Sequence, residues 1–327
     1  MTQRELIAGA ADARMRLDQF VAAALTPECS RSQAARMIKA GAVTVNGAPA
    51  RAAAALRPGD RVAIAPLAAP AAPAPKAAPP IDVLHADADI IVVNKAAGVA
   101  VHPAPGHPDG TLVDALLARF PDLAALADPD GVRRPGIVHR LDKDTSGVIA
   151  IARTLAARID LARQFKDRTV RKTYLAIVRG VVARDRFTIS RPVGRHPTER
   201  KRMSVRSRNP RAAVSQIAVL ARFDSPAPPA TFVLVRPETG RTHQIRVHLA
   251  ASGHPCLGDA LYGGAVGAAA GGFERQALHA LALEIAHPRE GARRQFVAPL
   301  PPDFAAMLGA RGVDIAPATV RRWIALE

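Results

Sequence analysis

Residues 66–80, PLAAPAAPAPKAAPP, constrain the fold of this 327-residue chain more than any other segment. They contain six prolines and seven alanines in fifteen residues, with one large apolar side chain among them. This composition favours an extended, semi-rigid polyproline conformation and offers little to a hydrophobic core. We therefore predict an Ala/Pro linker between a small module, residues 1–65, and a large domain, residues 81–327.

The charge of the chain indicates a polyanionic partner. There are 45 lysines and arginines against 28 aspartates and glutamates, a formal net charge of +17. Nucleic acid is the first candidate, ahead of an anionic membrane surface or an acidic protein. Residues 191–222 alone hold eight arginines and one lysine against one glutamate. We expect this segment, including Arg200 and Arg202, to follow a nucleic-acid backbone, although a solvated loop is the alternative.

Several classes of protein are excluded by composition. Two cysteines, Cys29 and Cys256, cannot build a disulfide framework or a cysteine-rich zinc site. The sequence has no uncharged apolar run of the roughly 18 residues that a membrane span needs. The first 25 residues also lack the continuous apolar stretch of a signal peptide. We therefore expect a cytoplasmic protein that is not embedded in a membrane.

The N-terminal module shows a regular order of helices and strands. Apolar residues recur at helical spacing from Leu17, and the strand Val43–Val45 precedes Asn46-Gly47, a strong hairpin signal. The order RLDQF, SRSQAARMIKAGAVTVNG, LRPGDRV resembles the S4 (αL-type) RNA-binding module. The resemblance implies that Arg31, Arg36 and Lys39 contact phosphates, whereas three charges alone would more often be a solvated basic face.

The large domain reads as short strands mixed irregularly with helices, which predicts an α+β fold. A helix is expected at 111–120, and strands at 90–93, 147–153, 173–180, 231–237 and 242–250. The last of these, THQIRVHLA, would place Arg246 on a mostly apolar strand. Because a buried arginine is costly unless a carboxylate pairs with it, Asp142 is a candidate partner. His243 and His248 lack the spacing of a zinc motif.

The densest group of chemically active residues lies in GIVHRLDKDTSG, residues 136–147. Asp142 and Asp144 could form a hydrolase pair, bind a metal or belong to a solvated turn. The segment departs from the calcium-loop pattern at Ser146 and Gly147, so no metal site is predicted. Tyr174 in the strand at 173–180 is either half-buried core or a platform that stacks on a base.

Together, VHRLDKDTSG, KTYLAIVRG, ETGRTHQIRVHLAASGHPCLGDALYG and LHALALEIAHP resemble the RluA-type pseudouridine synthases. The resemblance implies a mixed, mainly antiparallel sheet and an enzyme that isomerises uridine in RNA without a cofactor. It implies Asp142 as the catalytic carboxylate, Arg246 as its partner and Tyr174 stacked on the flipped uracil. The residues implied in substrate binding are His139, Arg140 and Leu278, although a core role is the default for Leu278.

The same resemblance implies a partner and a target. The expected partner is 23S ribosomal RNA or a precursor of the large ribosomal subunit, and the expected target is the helix 69 stem-loop. A monomer is the simplest expectation for the oligomeric state. Two other functions remain open. One is an RNA-binding or assembly factor without catalysis, and the other is a hydrolase that uses Asp142 and Asp144.

Overall fold

A computed structural model describes residues 4–26, 29, 31–65, 78–103, 108–126, 134–199, 201–224, 229–263 and 273–326. Residues 66–77, most of the predicted linker, lie outside these ranges, as does Arg200. The chain separates into two compact units, residues 1–75 with 124–135 and residues 76–123 with 136–327.

The N-terminal unit combines two helices with a small antiparallel sheet. Its elements are β1 (Arg4–Ile7), α1 (Leu17–Ala24), α2 (Arg31–Lys39), β2 (Val43–Val45), β3 (Ala48–Pro49) and β4 (Arg61–Ile64), with the strands in the order β1-β4-β2-β3. The hairpin between β2 and β3 turns at Asn46 and Gly47, whose φ angles are 52° and 78°. Two successive positive φ angles are the geometry that the Asn-Gly pair predicts.

One hydrophobic core lies between these helices and the sheet. The apolar face of α1 is buried through Leu17, Phe20 and Val21, at the helical spacing that the sequence shows. Val43 and Val62 close the core from the sheet. The basic residues of α2 lie on its exposed side, because the apolar positions of the same helix face this core.

The larger unit is built on one large mixed sheet. Its strands are β5 (Asp82–Ala86), β6 (Ile90–Lys95), β7 (Ser146–Ala152), β8 (Arg171–Arg179), β9 (Arg186–Ser190), β12 (Val214–Phe223), β13 (Ala230–Pro237), β14 (Leu278–Ala286) and β15 (Arg293–Val297), while β10 (Gly194–Arg195) and β11 (Met203–Ser204) form a separate hairpin. The helices are α3 (Leu112–Arg119), α4 (Leu155–Lys166), α5 (Gln244–Ala251), α6 (Pro302–Gly309) and α7 (Pro317–Ala325).

The strand order is β5-β6-β7-β14-β8-β13-β12-β9, with β15 added beside β14. Among the described strands, β7 and β14 form a parallel pair and the other pairs are antiparallel. This confirms the predicted α+β class with a mixed, mainly antiparallel sheet. The central strand β7, SGVIAIA, is buried along its whole length, as expected for an apolar strand covered on both faces.

A glycine allows β14 to insert beside β7. Gly147 has a φ of 116°, and a Cβ added there would lie 2.2 Å from the carbonyl oxygen of Ala280 on β14. No side chain fits in that space. The close approach brings the start of β14, including Leu278, next to the segment that carries Asp142.

The strand predicted at 242–250 is wrong, because the structure has helix α5 over Gln244–Ala251. Strand β13 ends at Pro237, and a turn leads to His243, whose φ of 54° is left-handed; the amide of Val247 then donates to the carbonyl of His243. Residues 244–249 are all buried. The alternation of polar and apolar residues in 242–250 therefore reflects buried polar side chains that have hydrogen-bond partners inside the protein, and not the two faces of a strand.

Candidate active site

The segment between residues 136 and 145 carries Asp142 and is fastened to β7. The carbonyl of Gly136 accepts the amide of Ala152 at 2.9 Å. Nε2 of His139 accepts the amide of Ala150 at 2.9 Å, and the ring of His139 stacks on Phe165 at a centroid distance of 4.4 Å. Burial lowers the pKa of His139 to about 3, so the ring is neutral and able to accept this hydrogen bond.

A buried lysine ties the same segment to the end of β6. The Lys95 ammonium is 1% exposed and donates to the carbonyls of Ala96 at 2.7 Å, Val99 at 2.8 Å and Lys143 at 2.8 Å. Burial lowers the pKa of Lys95 to about 7, while the charges of Asp144 and Asp142 act in the opposite direction. The contact with Lys143 fixes the backbone next to Asp142.

Arg246 lies on α5 between two carboxylates. Its Nη1 donates to Oδ2 of Asp142 at 3.0 Å, so the contact expected from the sequence is present. Its Nε and Nη2 donate to the two oxygens of Asp259 at 2.7 and 2.8 Å. Burial opposes the charge of Arg246, but the hydrogen bonds and charges of Asp259 and Asp142 raise its pKa above the ordinary value.

Asp259 is itself immobilised. The side chain is fully buried, and Oδ1 accepts the backbone amides of Leu261 and Tyr262, both at 3.0 Å. A carboxylate held by two amides leaves its guanidinium partner little freedom. Asp259 therefore aims the remaining donor of Arg246 at Asp142.

A histidine that is held by a tyrosine approaches the other oxygen of Asp142. The hydroxyl of Tyr262 accepts the amide of Met203 at 2.9 Å and lies 2.8 Å from Nδ1 of His243, to which it can donate its own proton. The neutral ring then carries its proton on Nε2, 3.8 Å from Oδ1 of Asp142. Burial lowers the pKa of His243, which favours this neutral form. The guanidinium of Arg246 lies over the Tyr262 ring at 5.0 Å.

These groups open into a cavity of about 450 Å³, within the range of small-molecule sites. Asp142, Tyr174 and Leu278 line it, together with His139 and Arg140. Tyr174 on β8 and Leu278 on β14 come from adjacent strands, and burial raises the pKa of the Tyr174 phenol, so it is protonated at neutral pH. Arg140 is exposed. With Arg246, which also lines it, the structure thus brings six of the predicted site residues to one cavity.

The other predicted residues lie elsewhere. Arg202 lies in the basic segment 191–222, at the hairpin of β10 and β11. It pairs with Glu199 at 3.0 Å, and its guanidinium lies 5.6 Å from the centre of the Tyr262 ring. In the N-terminal unit, Arg31 pairs with Asp18 at 3.3 Å. Arg36 and Lys39 occupy the last turn of α2 and are exposed.

Sequence reasoning missed Lys95, Asp259 and Tyr262. A buried arginine predicts one carboxylate partner, and nothing in the local pattern indicates a second one thirteen residues along the chain. Lys95 ends an apolar strand and looks like a boundary residue. For Asp259, the available signal was the stretch GDALYG, in which a carboxylate precedes a turn whose two backbone amides are able to donate to it.

One group of potential metal ligands lies outside this cavity. Asp87, Asp89 and His287 bring ligand atoms within 4.8 Å of one another. All three already have protein partners: His287 lies 3.1 Å from Asp87, Arg289 pairs with Asp89 at 2.7 Å, and the amides of Asp89 and Ile90 donate to Asp87. We interpret this group as the support of the turn between β5 and β6.

Comparison with known proteins agrees with the fold. A family model described as RNA pseudouridylate synthase matches residues 89–251, and an S4 domain model matches residues 15–62. The chain is similar to the Uncharacterized RNA pseudouridine synthase YlyB of Bacillus subtilis, with 41% identity over 94% of this chain and 98% of the relative. It is also similar to the Ribosomal large subunit pseudouridine synthase D of Pseudomonas aeruginosa, with 43% identity over 88% of this chain and 89% of the relative.

Among solved structures, Human RNA Pseudouridylate Synthase Domain Containing 1 matches with a TM-score of 0.58 and 33% identity, over 72% of this chain and 90% of that chain. The fold and site thus define an isomerase that acts on uridine in RNA. The chain belongs to the RluA-type family of RNA pseudouridine synthases and carries an N-terminal S4 domain. Within the described residues, no helix is both long and apolar enough to cross a membrane.

Proposed function

We propose that this enzyme isomerises specific uridines of 23S ribosomal RNA, in the helix 69 stem-loop, with Asp142 as the catalytic carboxylate. The observation that carries the proposal is the carboxylate of Asp142 in the cavity, held through Arg246 by the buried Asp259. Similarity to relatives named for the ribosomal large subunit supports the choice of RNA. We further propose that it acts as a cytoplasmic monomer.

The reaction is an exchange of bonds within one nucleotide. The bond from C1′ to N1 breaks, a bond from C1′ to C5 forms, C5 loses a proton and N1 gains one. Nothing is oxidised and no water is consumed, so the reaction balances without a cofactor. Oδ2 of Asp142 is engaged by Arg246, which leaves Oδ1 for the substrate. A carboxylate so placed is able to act as a nucleophile on the sugar or the base, or as a base toward the sugar.

The target uridine must leave the RNA stack to reach Asp142, because C1′ and C5 are not accessible together inside a helix. We propose that the extruded uracil stacks on Tyr174, against the wall formed by Leu278. The exposed Arg140 at the same cavity is placed to occupy the gap that the base leaves. His139 contributes by holding the segment in place through its bond to Ala150.

The basic residues outside the cavity supply affinity for the RNA backbone. In this proposal Arg31, Arg36 and Lys39 of the S4 domain contact phosphates, and Arg200 and Arg202 do so in the large domain. Phosphate contacts position an RNA without reading its sequence. The identity of the target uridine is then selected by the shape of the stem-loop.

The direct test is tritium release from 23S RNA labelled at C5 of uridine. The wild-type enzyme is expected to release tritium, and Asp142→Asn to reduce the rate by at least about 1000-fold, as loss of a nucleophile does. Asp144→Asn, two residues further along the turn, is the matched control and is expected to keep the rate within a few-fold.

Other outcomes select the alternatives. Tight RNA binding by the wild type without tritium release would indicate a binding or assembly factor. Free uracil in the products would indicate a hydrolase. Tritium release that survives Asp142→Asn would contradict the assignment of the catalytic carboxylate, and equal release from fragments lacking helix 69 would contradict the target.

A further inference from the structure

Besides Arg140, Arg246 and the exposed Lys166, four cationic side chains line the cavity of Asp142. Arg168 follows α4, Lys172 lies on β8, Arg211 precedes β12 and Arg241 lies between β13 and α5. Arg168 and Arg211 are exposed, and Lys172 and Arg241 are half-buried, so the group lies toward solvent relative to the buried Arg246. We call these four residues the rim cluster.

Among the residues that the structure describes, the rim cluster keeps an uncompensated positive charge. Within the part of the chain that the structure describes, none of the four forms an ion pair with a carboxylate. The bonds they do make are to backbone carbonyls: Nζ of Lys172 approaches Thr239 at 3.5 Å, and Nε of Arg241 donates to Ala212 at 3.2 Å. Glu238 also lines the cavity, but it accepts a hydrogen bond from Gln216 at 2.9 Å.

The cluster is close enough for its charges to oppose one another. Burial and then the charge of Arg168 lower the pKa of Lys172 to about 8. Burial and then the charges of Arg211 and Arg168 lower the pKa of Arg241. Arg246 in the same cavity differs, since Asp142 and Asp259 compensate its charge. Uncompensated cations held side by side favour an anion among them.

We propose that the rim cluster binds a phosphodiester of the RNA that flanks the extruded uridine. A nucleotide in the cavity remains joined to the strand on both sides, so a phosphate must lie where the cavity opens to solvent. The forked guanidinium groups of Arg168, Arg211 and Arg241 match phosphate oxygens, and Lys172 adds a point charge. This inference rests on the proposed function and adds to it the place where the strand is held beside the site.

The test combines a protein change with an RNA change. Helix 69 hairpins are prepared with one neutral methylphosphonate at each linkage on either side of the target uridine in turn. Their affinity is measured with the full-length chain in an Asp142→Asn background, so that no turnover interferes. At the contacted linkage, the neutral substitution is expected to weaken binding about 10-fold or more, as loss of a charged hydrogen bond does.

The double variant Arg168→Gln with Arg241→Gln is expected to weaken binding of the unmodified hairpin by a similar factor, and then to be insensitive to the methylphosphonate at that linkage. Non-additivity of this kind indicates direct contact. Arg119→Gln, an exposed arginine on α3 outside the cavity, is the matched control and is expected to leave the effect of the methylphosphonate unchanged. Arg168→Lys with Arg241→Lys keeps the charge but loses the forked geometry, and is expected to restore the affinity only in part.

Strictly additive effects at every flanking linkage would overturn the inference. So would a double variant that binds uridine monophosphate more weakly but the hairpin normally, because the cluster would then serve a mononucleotide. A different result would contradict the proposed function, namely the absence of tritium release from the wild type. The binding measurement does not depend on turnover and would still test the rim cluster in that case.

Discussion

Asp259 shows how a residue without contact to the substrate is able to determine the chemistry of this site. Its two oxygens hold two donors of Arg246, and its position is fixed by the amides of Leu261 and Tyr262. The direction of the third donor, toward Asp142, follows from this geometry. From the sequence, the need for a carboxylate beside Arg246 could be predicted, but not that two would share it.

We expect Asp259→Asn to lower kcat by about 100-fold with a smaller change in KM, and to destabilise the fold by about 3 kcal/mol, as removal of one partner of a buried pair does. Single-turnover tritium release and urea unfolding measure the two effects. Asp122→Asn, which breaks the pair of Asp122 with Arg153 outside the cavity, is expected to change neither by much. An unchanged kcat in Asp259→Asn would contradict the positioning role.

The pKa of Lys172, about 8, predicts a pH dependence. Below that pH the side chain is a cation and attracts phosphate; above it the charge is lost, so kcat/KM should fall as pH rises from about 7 to 9. His139, with a pKa of about 3, is neutral throughout, whereas Lys95, with a pKa of about 7, loses its charge at the lower end of the same range. Lys172→Arg is expected to remove the part of the decline that is centred near pH 8. Identical pH profiles for the two proteins would show that another group titrates.

At the scale of secondary structure, the local pattern predicted four strands of the large sheet and failed at α5. The strands β6, β7, β8 and β13 were predicted because continuous apolar, β-branched runs have few other stable environments. The helix was missed because the polar residues of THQIRVHLA have buried partners. The side-chain amide of Gln244 donates to the carbonyl of Val214 at 2.9 Å, and His248 lies 3.0 Å from the hydroxyl of Ser215. Such bonds come from distant segments and leave no periodic signal.

The insertion of β14 beside β7 depends on Gly147. We expect Gly147→Ala to destabilise the large unit by more than about 3 kcal/mol, because the added Cβ would meet the backbone of Ala280 at 2.2 Å. Gly291→Ala is the control: Gly291 also has a positive φ, 70°, but no atom lies within 4 Å of the added Cβ, so a cost of about 1 kcal/mol is expected. Urea unfolding compares the two, and equal losses would contradict the steric explanation.

At the scale of the whole molecule, the excess of positive charge favours the binding of RNA. The segment 191–222 carries a large share of it, and Arg206 and Arg208 are exposed there. Charge composition predicts a polyanionic partner because electrostatic attraction to phosphates acts over distances longer than single contacts. It does not predict which charges surround the cavity. Arg168 and Arg241 lie outside the segment that the sequence singled out.

Reversal of Arg206 and Arg208 to glutamate is expected to flatten the dependence of log affinity on log salt by about 1.5 or more, since each lost phosphate contact removes roughly 0.7–0.9. Reversal of Arg119 and Arg184, two exposed arginines outside the segment, changes the net charge equally and is expected to flatten it less. RNA binding measured across a salt series gives the slopes of the two variants for comparison. Equal slopes in the two variants would indicate that net charge alone matters.

The sequence by itself determined the α+β class, the S4 domain and the family, because these depend on local composition and on long motifs, while the division at the Ala/Pro segment stays a prediction. The tertiary structure alone decided that Arg246 is on a helix, that Asp142 and Asp259 share it, and that Lys95 holds the neighbouring backbone. Asp142 and Arg246 are 104 residues apart. Backbone preferences act between neighbours in the chain, whereas the partners of a buried charge are set by which segments the sheet topology brings together.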